Sequence, residues 1–165
     1  MYFIIIAIIV ALDQLTKFLI CANFDLNSSM PVIDGILHIT YIHNSGAAFS
    51  IFQNKTVFLI VIQVTVIAIV LVYLIARRKK DHWCLLLSVS LIAAGGMGNL
   101  IDRAVNGYVV DFLQLPHWPI FNVADISVCV GCGLLVLYMF FIDPKRSGDR
   151  KPVRGGSNDA DRSGE

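Results

Sequence analysis

Two aspartates carry the chemistry that this chain suggests. Asp111 lies in Val-Val-Asp-Phe at 109–112, and Asp125 closes Phe-Asn-Val-Ala-Asp at 121–125, where a hydrophobic stretch begins. The chain around both is apolar enough to lie in lipid. A carboxylate there is costly, so each marks a functional site by default. Two that meet suggest acid–base chemistry by a dyad, one group holding a proton while the other withdraws one.

The elements that must position them are membrane helices. Of 165 residues, 56% are hydrophobic and 15% charged, and the mean hydropathy is +0.71. A soluble domain of this size carries about 25% charged residues, so the composition points to a membrane protein. Stretches 2–20, 56–76, 84–101 and 120–142 are long enough to span a bilayer, which takes roughly 20 apolar residues. The fold class expected is membrane α-helical: four transmembrane helices with a small extracytoplasmic β-sheet element and a second outer loop. Residues 1–143 form one four-helix membrane domain in this scheme, with a β-rich outer segment at 21–55 and an outer loop at 102–119. The tail at 144–165 is polar, lacks apolar periodicity and is expected to be disordered in the cytoplasm.

Charge placement gives the orientation. Arg77, Arg78, Lys79 and Lys80 follow the second stretch, and Lys145, Arg146, Arg150, Lys151 and Arg154 follow the fourth. The only lysine or arginine residues in segments 21–55 and 102–119 are Lys55 and Arg103. The positive-inside bias puts the 77–83 loop and both termini in the cytoplasm. Asp111 and Asp125 then lie near the extracytoplasmic surface. The apolar run ending at Cys21 is similar to a lipoprotein signal peptide, but it has no basic n-region and is interrupted by Asp13 and Lys17. It is expected to be a retained span.

In the outer segments, 36–43 reads as a strand with partial alternation, and Gly-Tyr-Val-Val-Asp-Phe at 107–112 as a short strand or a re-entrant piece. Pro116, Trp118 and Pro119 stop helix formation, and Trp118 suits the interface. Cys129 and Cys132 have Cys-x-x-Cys spacing inside a span, where small apolar packing is the expected role. His38 and His43 are five apart, so a regular strand points them to opposite faces, and no metal site is expected.

Other polar residues have two readings each. Asp13 and Lys17, at i and i+4, form an internal ion pair, or else brace the reacting groups or contact a lipid headgroup. Asn99, Asp102 and Arg103 end a glycine-rich span and either serve the site or snorkel to the interface. Asn44 and Asn122 hold a carboxylate or a peptide backbone, or cap a local turn. Three classes compete at this stage: a membrane aspartic peptidase, a small transporter or proton relay, and a non-catalytic assembly factor. No matched pair of broken segments favours the transporter. The Gly-x-Gly-Asp motif of another type of intramembrane peptidase is absent, since Val-Ala precedes Asp125.

Five segments occur together in order: Asp13-Gln-Leu-Thr-Lys17, Asn44-Ser-Gly-Ala-Ala-Phe49, Gly95-Gly-Met-Gly-Asn-Leu-Ile-Asp-Arg103, Val109-Val-Asp-Phe112 and Phe121-Asn-Val-Ala-Asp125. Over about 13–130 the chain resembles the lipoprotein signal peptidases, also called signal peptidase II. That resemblance implies a metal-free, cofactor-free aspartic endopeptidase of the bacterial inner membrane. Such an enzyme removes signal peptides from diacylglyceryl-modified prolipoproteins, cutting before the lipidated cysteine. It puts the catalytic pair at Asp111 and Asp125, and further functional positions at Asp13, Lys17, Asn44, Gly46, Asn99, Arg103, Asn122 and Ala124; Asp102 joins them from the reading of the residues above. The expected partners are the prolipoprotein and membrane phospholipid, with no nucleic acid, and the expected state is a monomer.

Overall fold

The computed structural model describes residues 1–46 and 55–142. Residues 47–49 of the Asn44 segment and the tail at 144–165 fall outside them. Among the described residues, four helices are long and apolar enough to cross a membrane: α1 (Tyr2–Asn23), α2 (Thr56–Arg77), α3 (Trp83–Asn106) and α4 (Val123–Leu137), the last extended by a π-helical turn, Tyr138–Ile142. At 1.5 Å rise, the 22 residues of α1 span about 33 Å, close to the hydrocarbon thickness. Three short strands, β1 (Ser29–Ile33), β2 (Leu37–Asn44) and β3 (Val109–Gln114), form one antiparallel sheet in the order β1-β2-β3.

Two helix ends differ from the hydropathy reading. Helix α3 runs on through Asp102 and Arg103 to Asn106, because both charges find partners inside the protein and so do not end the apolar packing. Gly107 ends it instead, in the left-handed conformation at φ 81°, with its N–H bonded to the Arg103 carbonyl. Helix α4 starts at Val123, not 120. Phe121 is still extended and exchanges backbone bonds with Leu113, and Asn122 is the N-cap. The piece at 109–114 is a strand of the main sheet, paired with β2.

A bulge in β2 sets the faces of the sheet. Ile39 opposes Leu113 and Ile42 opposes Asp111, so Thr40 and Tyr41 together face only Phe112. The extra residue overturns the alternation expected for the histidines. His38 pairs with Gln114 and His43 with Val110, four apart on β3, which returns both to one face. That face includes Tyr41, Val110 and Phe112, packed on Ile20 of α1. The opposite face carries Asn44 and Asp111.

Two apolar clusters bracket a polar layer. Ile6, Leu74, Leu86, Ala93 and Ala94 pack toward the end of the bundle away from the sheet, and the Ile20–Tyr41–Val110–Phe112 cluster lies beneath the sheet. Between them, in helix order, come Asp13 and Lys17 of α1 and Asn99, Asp102 and Arg103 of α3. Close approach of α3 to α4 makes room for this layer. A Cβ on Gly95 would sit 2.2 Å from the Ala124 carbonyl oxygen, and one on Gly98 would sit 2.5 Å from Asp13 Oδ2. Cys129 and Cys132 do not pack inward as expected; both are exposed on α4.

Candidate active site

Asp111 comes from β3 and Asp125 from the first turn of α4. Asn122 joins them. Its side-chain amide donates to Asp111 Oδ1 at 2.7 Å, while its backbone N–H donates to Asp125 Oδ2 at 3.2 Å. In return, its side-chain oxygen accepts the Asp125 N–H at 3.0 Å, completing a capping box. The remaining carboxylate oxygens are also held. Asn44 Nδ2 donates to Asp111 Oδ2 at 2.8 Å, and Asn99 Nδ2 donates to Asp125 Oδ1 at 2.8 Å. All four oxygens therefore accept an amide N–H, which fixes both carboxyl planes.

The two groups differ in environment. Asp111 is 1% exposed, whereas Asp125 is half-buried. Burial pushes the Asp111 carboxyl up to about 7; the charge of Asp125 adds to this, and the bonds from Asn44 and Asn122 oppose it. Both line a cavity of about 530 Å³ between α2, α3 and α4, with Asn44, Asn99 and Gln63 as its other polar walls and Trp118, Ile126 and Val128 among the apolar ones.

The polar layer behind the pair is closed by Lys17. Its ammonium lies 2.9 Å from Asp13 Oδ2, 2.9 Å from Asp102 Oδ2 and 3.0 Å from Asn99 Oδ1, so each N–H has an acceptor. Lys17 is 3% and Asp13 0% exposed, which leaves no room for a lipid headgroup. Asp13 Oδ1 accepts the Ala124 N–H at 2.8 Å and so holds the start of α4. Asp102 Oδ2 accepts the Val110 N–H at 3.0 Å and so holds the strand beside Asp111. Ala124 is fully buried against α3, where a longer side chain has no space. Arg103 does not snorkel: its Nη2 donates to the Gly46 carbonyl at 2.6 Å, and the Gly46 N–H donates to Asn44 Oδ1 at 3.0 Å. The eleven positions singled out in the sequence thus fall in one connected network.

Two members were missed. Gln14 donates to Asp102 Oδ1 at 3.0 Å and to the Gly98 carbonyl at 3.2 Å, tying α1 to α3. Gln63 accepts from Arg103 Nη1 at 3.3 Å. The available signal was a carboxamide inside an apolar span, which is as costly to leave unpaired as other buried polar groups.

Comparison with known proteins gives the family. The profile of signal peptidase II matches residues 5–141. The chain belongs to the signal peptidase II family. A lipoprotein signal peptidase of Halothermothrix orenii is 42% identical over 140 residues, covering 85% of this chain and 95% of that one. Another, from Brevibacillus brevis, is 44% identical over 148 residues, covering 88% and 98%. A bacterial membrane enzyme solved by the in meso method superposes with a TM-score of 0.80 at 31% identity, covering 92% of each chain. As a signal peptidase II family member, the protein is a peptidase and a multi-pass membrane protein.

Proposed function

We propose that this protein is an aspartic endopeptidase that removes signal peptides from diacylglyceryl-modified prolipoproteins, cutting just before the lipidated cysteine. Its relatives named above are lipoprotein signal peptidases. The observation that carries the aspartic mechanism is that Asp111 and Asp125 share one cavity and are bridged by Asn122.

Two carboxyl groups so close in a poorly hydrated site share a proton and titrate as a unit. Asp111, the buried member with its carboxyl raised to about 7, keeps the proton near neutrality. Asp125, on the accessible wall, draws a proton from water. The resulting hydroxide adds to the scissile carbonyl carbon, and the Asp111 proton passes to the carbonyl oxygen. The tetrahedral intermediate then loses its C–N bond, with the proton on Asp125 going to the departing amine of the cysteine. No covalent enzyme intermediate forms.

Asp13, Lys17, Asn99, Asp102, Asn122 and Ala124 act in this reading as the frame that orients the pair. Asn44, Gly46 and Arg103 form the wall along which the substrate backbone lies extended. The basic clusters support an orientation with both termini in the cytoplasm of a bacterial cell and the dyad near the outer surface of the inner membrane. The substrate's acyl chains stay in the bilayer among phospholipids, so they place the cysteine and add little binding energy. All the dyad's partners belong to one chain, which supports a functional monomer.

The test is cleavage of a diacylglyceryl-modified prolipoprotein by purified protein beside Asp111→Asn and Asp125→Asn, with a chelator present. Cleavage before the lipidated cysteine, lost in both variants and indifferent to chelator, is the expected result. Cleavage that survives either substitution refutes the dyad.

A further inference from the structure

The turn between α2 and α3 carries four cations in a row, Arg77, Arg78, Lys79 and Lys80. Among the described residues, only the first has an anionic partner. Arg77 Nη2 lies 2.8 Å from Asp81 Oδ1, and its Nε donates to Asp81 Oδ2 at 3.1 Å. The Tyr73 hydroxyl donates to the same carboxylate. Asp81 is the one acidic residue between 56 and 101, so the chain offers no second carboxylate here. Arg78, Lys79 and Lys80 are exposed and form no ion pair among the described residues. Three adjacent cations on one turn repel one another, and an anion beside them relieves this.

The surroundings of the turn identify the anion. The chain keeps a helical turn beyond α2, with the Asp81 N–H bonded to the Arg77 carbonyl at 3.1 Å. Val72 is seven residues before Lys79 and Ile75 is three before Arg78, spacings that share a helix side. Val72 and Ile75 are both exposed. The cations thus cap an apolar face at the end of a helix with no other charge from 56 to 76. Past the turn, Trp83 is exposed at the start of α3. Beside it His82 accepts the Cys84 N–H at 3.2 Å and stacks on Tyr138, with ring centroids 5.8 Å apart. Indole and phenol rings collect at the headgroup level of a bilayer, so this end of α2, α3 and α4 lies there. A free phosphate would satisfy the cations and leave the apolar face unmet. An amphiphile with an anionic head meets both.

We propose that Arg78, Lys79 and Lys80 form a binding site for the headgroup of an anionic phospholipid, whose acyl chains lie along Val72 and Ile75. Lysine and arginine next to a membrane helix each favour an anionic lipid surface. Asp81 confines the site to these three cations by neutralising Arg77. The site belongs to the end of the bundle away from the sheet and is independent of the peptidase reading.

The experiment offers phosphatidylglycerol and phosphatidylcholine with the same acyl chains, in equal amounts, to the detergent-purified full chain, and counts bound lipid by native mass spectrometry. The expected result is a preference for phosphatidylglycerol of at least about fivefold, the worth of one such cation. Arg78→Gln, Lys79→Gln and Lys80→Gln together should bring the ratio to within about twofold of parity. The thermal midpoint of that variant in phosphatidylcholine, unchanged from wild type, is the folding control. The charge-keeping set Arg78→Lys, Lys79→Arg and Lys80→Arg should retain the preference. Glycerol phosphate, a head without chains, should not displace the bound lipid. Equal binding of the two lipids by wild type would overturn the proposal. So would a preference that survives the glutamine substitutions, its loss in the charge-keeping set, or displacement by glycerol phosphate.

Discussion

Replacing Lys17 by Met should be the most damaging single change outside the dyad. The ammonium touches three acceptors at 2.9–3.0 Å and is 3% exposed. Methionine has similar length and fits the space, so the loss is one of charge and hydrogen bonds, not of volume. Two carboxylates, Asp13 and Asp102, are left facing each other without a cation. Removing one partner of a buried ion pair costs about 3–5 kcal/mol. For a protein of this size each kcal/mol lowers the midpoint by roughly 2–4 °C, so a fall of about 6–20 °C is expected. The assay is thermal unfolding in detergent, followed by tryptophan fluorescence, with cleavage measured well below the midpoint. Activity should fall with stability, because Asp13 holds the Ala124 N–H and Asp102 holds the Val110 N–H, the two backbone anchors nearest the dyad. The double variant Lys17→Met with Asp13→Asn tests the cause. It removes one of the stranded charges, keeps an acceptor for Ala124, and should recover about 1–3 kcal/mol of the loss as coupling. A midpoint within about 1 °C of wild type for Lys17→Met, or strict additivity in the double variant, would refute the idea of a closed ionic layer.

Asp111, raised from 3.8 to about 7, is costly to ionise in the fold. Between about pH 4 and 7 the unfolded chain releases that proton while the folded chain keeps it, so this group lowers stability as pH rises. The gain in stability on Asp111→Asn should therefore grow by about 2–3 kcal/mol from pH 5 to 8, measured by denaturation at each pH; the same titration should make wild-type turnover decline above about pH 7. Gly98→Ala puts a methyl 2.5 Å from Asp13 Oδ2 and 3.2 Å from Ala124 Cβ, with an expected cost of about 1–3 kcal/mol in the midpoint and a clear loss of kcat. Asn122→Ala should cost about 2–4 kcal/mol, since it removes the cap and takes a donor from the buried oxygens of Asn99, Val110 and Asp111, and should reduce kcat by about a hundredfold or more when measured well below the midpoint; an unchanged kcat there would count against its role in holding Asp111.

The charged part of the site was legible because charge is conspicuous in an apolar chain. Asp13, Lys17, Asp102 and Arg103 stand out in stretches where lipid penalises them. What the sequence hid was set by contacts distant in the chain. The pairing of β2 with β3 joins segments separated by two membrane helices, and no local pattern announces it. The bulge at Thr40 and Tyr41 is equally silent, yet it decides that Asn44 shares a face with Asp111. The end of α3 was read too early because hydropathy counts Asp102 and Arg103 as polar, while the fold neutralises one with Lys17 and engages the other at Gly46. Gln14 and Gln63 escaped notice because a single carboxamide barely lowers the hydropathy of a span.

The capping box at the start of α4 also bears on how the protein is made. The last membrane helix to leave the ribosome supplies Asp125, and Asn122 just before it supplies the amide that holds Asp111. A nascent chain with three helices inserted owns one of the two carboxyl groups and lacks the bridge to the other. The helix end and the reactive pair then form in the same event. On the proposed mechanism the chain therefore stays inert until α4 is in place, and proteolytic capacity arrives with that helix.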